Sequence, residues 1–171
     1  ETEPLENPRG ANCPRVAPEK VFELLPRISK ADSREDLEAS TEMSTKTVEK
    51  TLSTCYALGI ADYTRTGPVV TDRGRELQQS SIGNRKKILA EELLKIPLVR
   101  AFCEEAPDEE FSAETVMNRV SEDHLKGWSE VTVQTRANRL IPWLTYTEIA
   151  DDETHGELVL SAEADEQAVT P

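Results

Sequence analysis

The chain has 171 residues, enough for one domain or two small ones, and its apolar share of 37% is low but sufficient for two compact cores. It carries 33 acidic and 20 basic residues, a net charge of −13, which bears on solubility and association rather than on fold. No apolar run is long enough to span a bilayer, the polar, proline-bearing start is not a secretory signal, and the cytoplasm is the expected compartment. Cys13, Cys55 and Cys103 are odd in number and widely spaced, so neither a zinc site nor a disulfide framework is expected.

The chain reads in order as follows. Residues 1–17 hold Pro4, Pro8, Pro14, Asn7 and Gly10 with little periodicity, which predicts a flexible arm. A first helix starts near Pro18, a favourable first-turn residue, and carries Val21, Phe22, Leu24, Leu25 and Ile28 until Pro26 ends or bends it. Ser33 caps a second helix, with Asp36 as a weaker capping-box partner; it offers Leu37 and ends between Ala39 and Thr41. Ser44 caps a third, whose Val48, Leu52 and Cys55 lie on one face, and Gly59 stops it. Short strands follow at Ala61 to Tyr63 and Val69 to Thr71, joined by a tip containing Arg65. Thr71 opens a closing helix, and Ser80 to Asn84 is a joint.

Beyond the joint, Ile88, Leu89, Leu93, Leu94 and Ile96 form a helix broken by Pro97, and Leu98, Val99 and Phe102 begin another. Asp108 to Glu110 is a solvated loop, and Ser112 caps a short helix carrying Val116, Met117 and Val120. A loop through His124, Gly127 and Trp128 leads to a long helix from about Thr132 to Tyr146, with Pro142 inside it, so it either kinks or starts later. Ala162 to Pro171 is an acidic tail.

A repeat organises these elements. Gly59-Ile60-Ala61-Asp62 and Gly67-Pro68-Val69-Val70 recur as Glu148-Ile149-Ala150-Asp151 and Gly156-Glu157-Leu158-Val159, at a constant offset of 89 positions. Upstream, Val48, Leu52 and Cys55 correspond to Ala137, Ile141 and Leu144. A helix feeding a small hairpin, built twice, is the layout of a winged-helix pair. The segment Thr71-Asp72-Arg73-Gly74-Arg75-Glu76-Leu77 resembles the end of many winged-helix regulators, where the strand leaving the wing meets a Thr-x-x-Gly-x-x-Leu turn. Acidic excess with Arg outnumbering Lys resembles the proteins of extreme halophiles. The expectation is a mainly α fold with small β-hairpins (α+β), comprising two winged-helix units at 18–81 and 82–161, of the archaeal or bacterial regulator type.

Charge suggests what the units do. Within residues 42–87 the balance reverses locally, through Lys46, Lys50, Arg65, Arg73, Arg75, Arg85, Lys86 and Lys87. If Val48, Leu52 and Cys55 face inward, Thr45, Lys46, Glu49, Lys50 and Ser53 face outward, suited to a major groove. Candidate DNA contacts are Thr45, Lys46, Thr47, Lys50 and Ser53 on the helix, Arg65 on the wing, Arg73, and Arg136 and Arg139 on the second long helix. The second wing, Asp151-Asp152-Glu153, would repel phosphate, so that unit suits a protein partner or a second copy. His124 and His155 lack ligands at metal spacing, and no phosphate-binding Gly-rich loop or paired-carboxylate cleft appears. The expected function is non-enzymatic, cofactor-free binding of double-stranded DNA in transcription regulation. The alternative is a protein-interaction or accessory module of a larger DNA-processing assembly.

Overall fold

A computed structural model describes residues 14–124, 128–154 and 157–160. The first half runs α1 (Pro18–Lys30), α2 (Arg34–Ala39), α3 (Thr45–Ala57), β1 (Ala61–Thr64), β2 (Gly67–Val70) and α4 (Asp72–Gln79). The second runs α5 (Ile82–Lys95), α6 (Pro97–Glu105), β3 (Phe111–Ser112), α7 (Ala113–His124), α8 (Glu130–Tyr146), β4 (Ala150–Thr154) and β5 (Glu157–Leu160). The fold is mainly helical with two small antiparallel sheets.

Local chemistry sets most boundaries. Hydroxyls of Ser33, Ser44, Thr71, Ser81 and Ser129 accept the N–H three residues on, at the starts of α2, α3, α4, α5 and α8. Each satisfies a donor that the first helical turn leaves open. Pro18 and Pro97 sit in the first turns of α1 and α6, where a missing N–H costs nothing. Neither internal proline ends its helix. Pro26 lies within α1, exposed, and the helix continues to Lys30 because the ring sits on the solvent side while Val21, Leu24, Leu25 and Ile28 anchor the other face. Pro142 likewise lies inside α8, which begins at Glu130, earlier than periodicity placed it. The joint contracts to Ser80 and Ser81, because the Ser81 cap starts α5 at Ile82. Ser112 closes β3 immediately before α7 starts at Ala113, and His124 ends α7 instead of lying in a loop.

The repeat is visible in the backbone. Gly59 has φ 72°, and Glu148, 89 positions later, has φ 63°. Both follow the C-cap of their helix, where a left-handed residue turns the chain into the strand. Correspondence then slips by one residue. Ala61 pairs with Val70, whereas Ala150 pairs with Leu160, and the second hairpin has an irregularity between Asp152 and Thr154. The second sheet also has a third strand, in the order β3-β5-β4. In the first half, the backbone of Ser33 and Arg34 lies against Gly67, so close that a Cβ there would stand 3.1 Å from the Arg34 nitrogen.

Two compact cores were expected, but the buried apolar side chains of both halves form one continuous cluster. Phe22 of α1 meets Tyr146 of α8 at 5.6 Å between ring centroids. The buried Trp143 donates its Nε1–H to the Val16 carbonyl at 2.6 Å. The stretch read as the end of a free arm is therefore packed: Pro14 and Val16 are buried, and the Arg15 N–H bonds Thr54 Oγ1 at 2.9 Å. Residues 1–13 and the tail 162–171 lie outside the described residues.

The Thr71-to-Leu77 turn has a physical explanation. Thr71 Oγ1 accepts from the Gly74 N–H at 3.1 Å and donates to the Gly59 carbonyl at 2.7 Å. A Cβ on Gly74 would lie 2.1 Å from the Ile60 carbonyl oxygen, so only glycine lets α4 seat there, with Leu77 buried beneath.

Candidate functional site

The apolar spacing of α3 orients it as expected, with Val48, Leu52 and Cys55 fully covered. Thr51 and Thr54 are buried too, their hydroxyls donating to the Thr47 and Lys50 carbonyls at 2.8 and 2.9 Å. Burial pushes the Cys55 thiol up to about 12, because no group nearby stabilises a thiolate in an apolar interior.

The outward face divides. Thr45, Lys46 and Glu49 are exposed, and Ser53 is half-buried. Thr47 is committed to the helix cap: its N–H bonds Ser44 Oγ at 3.1 Å and its hydroxyl meets the same oxygen at 3.0 Å. Lys50 turns into a cleft of about 240 Å³ between α3 and α8. There it is joined by Arg15, Arg136 and Arg139, and among the described residues no lining side chain is acidic. The Arg136 guanidinium lies 5.7 Å from the Trp128 ring centroid, a cation–π geometry that holds it in place. Arg15, Lys50 and Arg139 form no ion pair among the described residues. The rim carries Val131, 72% exposed. Three predicted residues far apart in sequence are thus brought together.

Arg65 is exposed on the turn between β1 and β2, away from those cleft-lining residues. Arg73 does not belong with the candidates. It donates to Glu76 at 2.9 Å, to Glu91 at 2.5 Å and to Glu92 at 2.9 Å, tying α4 to α5. The bond to Glu76, with those to Glu92 and Glu91, raises its pKa further above the ordinary arginine value. Its charge is spent inside the molecule. Much of the remaining basic window is also used internally. Arg75 bonds the Val70 carbonyl and Asp72, Arg85 lies over Phe22, and Lys86 lies over Tyr146 and 3.7 Å from Glu148.

In the second hairpin Asp151 is exposed, whereas the tip at His155 and Gly156 lies outside the described residues. Among the described residues no cluster of His, Cys, Asp and Glu could hold a metal ion, and no helix is long and apolar enough to cross a membrane.

Arg15 escaped sequence reasoning. It sits in a proline-bearing stretch without periodicity, and its placement depends on two hydrogen bonds to residues far along the chain, Thr54 and Trp143. No local pattern announces such bonds.

Residues 35–152 match the family described as the C-terminal AAA-associated domain. The chain belongs to that family. The match runs from α2 into β4, and so includes the whole first helix–hairpin segment, α8 of the second, and most of the cleft. The family description does not itself place this AAA-associated domain among the winged-helix regulators that the Thr71-to-Leu77 turn resembles. No curated protein and no solved structure matches the chain.

Proposed function

We propose that this AAA-associated domain binds double-stranded DNA through α3 and the neighbouring cleft, as two winged-helix units in tandem acting in transcription regulation. The observation that carries this is the convergence of Arg15, Lys50, Arg136 and Arg139 in one cleft, with no carboxylate among its described lining residues, in a chain of charge −13. The order α6-β3-α7-α8-β4-β5 with sheet order β3-β5-β4 supports the winged-helix description of the second half. In this reading Thr45, Lys46 and Ser53 approach base edges, since an exposed helix of this composition fits the major groove. Lys50 and the α8 arginines hold phosphates, and Arg65 reaches a neighbouring one. Titration of a fluorescent duplex in potassium chloride buffers tests it. Binding should fall steeply as salt rises, and should weaken at least about tenfold, with a shallower salt dependence, when Lys46 and Lys50 are both changed to Glu. Binding no better than background, or an unchanged affinity in the double variant, would sink the reading.

A second reading is favoured by the family itself: an accessory module that docks on an AAA protein. Tyr63, 68% exposed, and the exposed Val69 give the first hairpin an apolar surface suited to such contact. Co-purification of a stoichiometric AAA partner that survives nuclease treatment would favour it over DNA binding.

A further inference from the structure

Two neighbouring cations of α5 are treated differently. Lys86 lies 3.7 Å from Glu148 and over the Tyr146 ring. Arg85 is half-buried, and among the described residues it makes no ion pair. Its guanidinium lies 5.8 Å from the Phe22 ring centroid, and its Nη2 donates to the Gln78 carbonyl at 3.3 Å. Its Nε is covered and has no hydrogen-bond partner among the described residues, a shortfall that is uncommon for a buried donor. These contacts hold the guanidinium in the wall of a cavity of about 380 Å³ at the meeting of α1, α4 and α5. Phe22, Leu25 and Pro26 line it from α1, Leu77 and Gln78 from α4, and Arg85 from α5. No carboxylate is among its described lining residues. Pro26, which costs the interior of α1 a hydrogen bond, adds to the apolar surface there.

We infer that this cavity binds a small aromatic carboxylate, with Arg85 pairing the acid group and Phe22, Leu25, Pro26 and Leu77 enclosing the ring. Mostly apolar walls with a few fixed polar groups, in a volume of this size, are the make-up of a small-molecule site. One guanidinium matches a carboxylate in charge and in its planar fork of donors, whereas it would leave a phosphate dianion half neutralised. A flat ring fits beside Phe22 by offset or edge contact. Because α1 and α4 belong to the first half and α5 to the second, the bound acid would brace the seam between them. The site depends on neither the DNA reading nor the AAA-docking reading.

Phenylacetate is the probe, with neutral phenylacetamide and ringless acetate as its comparators, each titrated into the 171-residue chain by calorimetry and by saturation-transfer NMR at constant ionic strength. The expected result is saturable one-to-one binding of phenylacetate, at least about tenfold tighter than phenylacetamide, with no saturable binding of acetate. Arg85→Gln should abolish the preference for acid over amide. Arg85→Lys, which keeps the charge and loses the fork, should retain part of it. Lys87→Ala, on exposed α5 surface outside the cavity, should leave it unchanged. Phenylacetate that does not saturate at millimolar concentration, equal affinity for acid and amide, or a preference that Lys87→Ala weakens as much as Arg85→Gln does would overturn the site. Circular dichroism checks that the variants remain folded, and the acid-against-amide comparison in the native chain decides the matter should Arg85→Gln not fold. The duplex titration contains no aromatic acid, so failure of either reading leaves the other standing.

Discussion

Arg73 and Arg139 are the same residue type placed in opposite surroundings. Arg73 meets three carboxylates within 3 Å, one of them the largely buried Glu92, which also receives Lys95 at 3.0 Å. Arg139 shares a cleft with three other cations and no lining carboxylate among the described residues. The first arrangement fastens two helices. The second gathers positive charge from three stretches of chain into one cleft. A basic window counted along the sequence merges the two kinds, because it registers how many cations are present and not what each one faces.

The strongest way to break this contrast is at the seat that holds Arg73. Gly74→Ala would drive a Cβ to 2.1 Å from the Ile60 carbonyl and 2.6 Å from Val70 Cγ1. Backbone must move, so α4 and its ion network should shift together. We expect a loss of about 2–4 kcal/mol in urea unfolding. A cost below about 0.5 kcal/mol would mean that α4 is not seated as described.

Next in size is a direct exchange of the two arginines' roles. Arg73→Ala strands Glu92 with only Lys95, and should cost about 1–3 kcal/mol; the smaller figure allows for solvent screening of Glu76 and Glu91, which are considerably more exposed than Glu92. Arg139→Ala should change stability by less than about 0.5 kcal/mol, or raise it by relieving repulsion, while weakening the duplex DNA binding that the proposed function expects. Equal destabilisation by both variants would erase the distinction. The strap offers a subtler test. Trp143→Phe removes the buried bond to the Val16 carbonyl and should cost about 1–2 kcal/mol. It should also lower the affinity for duplex DNA that the proposed function expects, by loosening Arg15; an unaltered affinity would show that Arg15 is held by the Thr54 bond alone.

Much of the scaffold was legible in the sequence because its signals are local. Serine and threonine caps, the four-three spacing of Val48, Leu52 and Cys55, and the glycine after α3 each act within a turn or two of chain. The repeat was legible for the same reason, and where it slipped, at the one-residue shift of the second hairpin, the cause is a strand irregularity that leaves no gap in sequence spacing. Of the candidate site, the outward face of α3 followed from its inward face. That Lys50, Arg136 and Arg139 share one cleft did not follow, since it depends on how α8 packs beside the first half. The commitments of Arg73, Arg85 and Lys86 were equally hidden, because their partners lie on other elements.

Cys55 gives the smallest effect and a control for the charge argument, since its shift comes from burial alone. A raised thiol pKa means that the folded state keeps its proton when the unfolded chain has begun to lose it. Stability from this group is therefore fully present below the unfolded value of about 9 and drains away as pH rises toward the folded value of about 12. Between pH 7 and 8 the difference in unfolding free energy between the native chain and Cys55→Ala should be constant. By pH 9.5 the native chain should have lost about 1 kcal/mol relative to that variant. Subtracting the two profiles cancels the surface lysines and tyrosines common to both. A difference that instead rises with pH near 7 would require a stabilised thiolate, and with it a cation near α3's inner face. That would place positive charge on both sides of the helix and remove the reason for assigning its outer face alone to an anion.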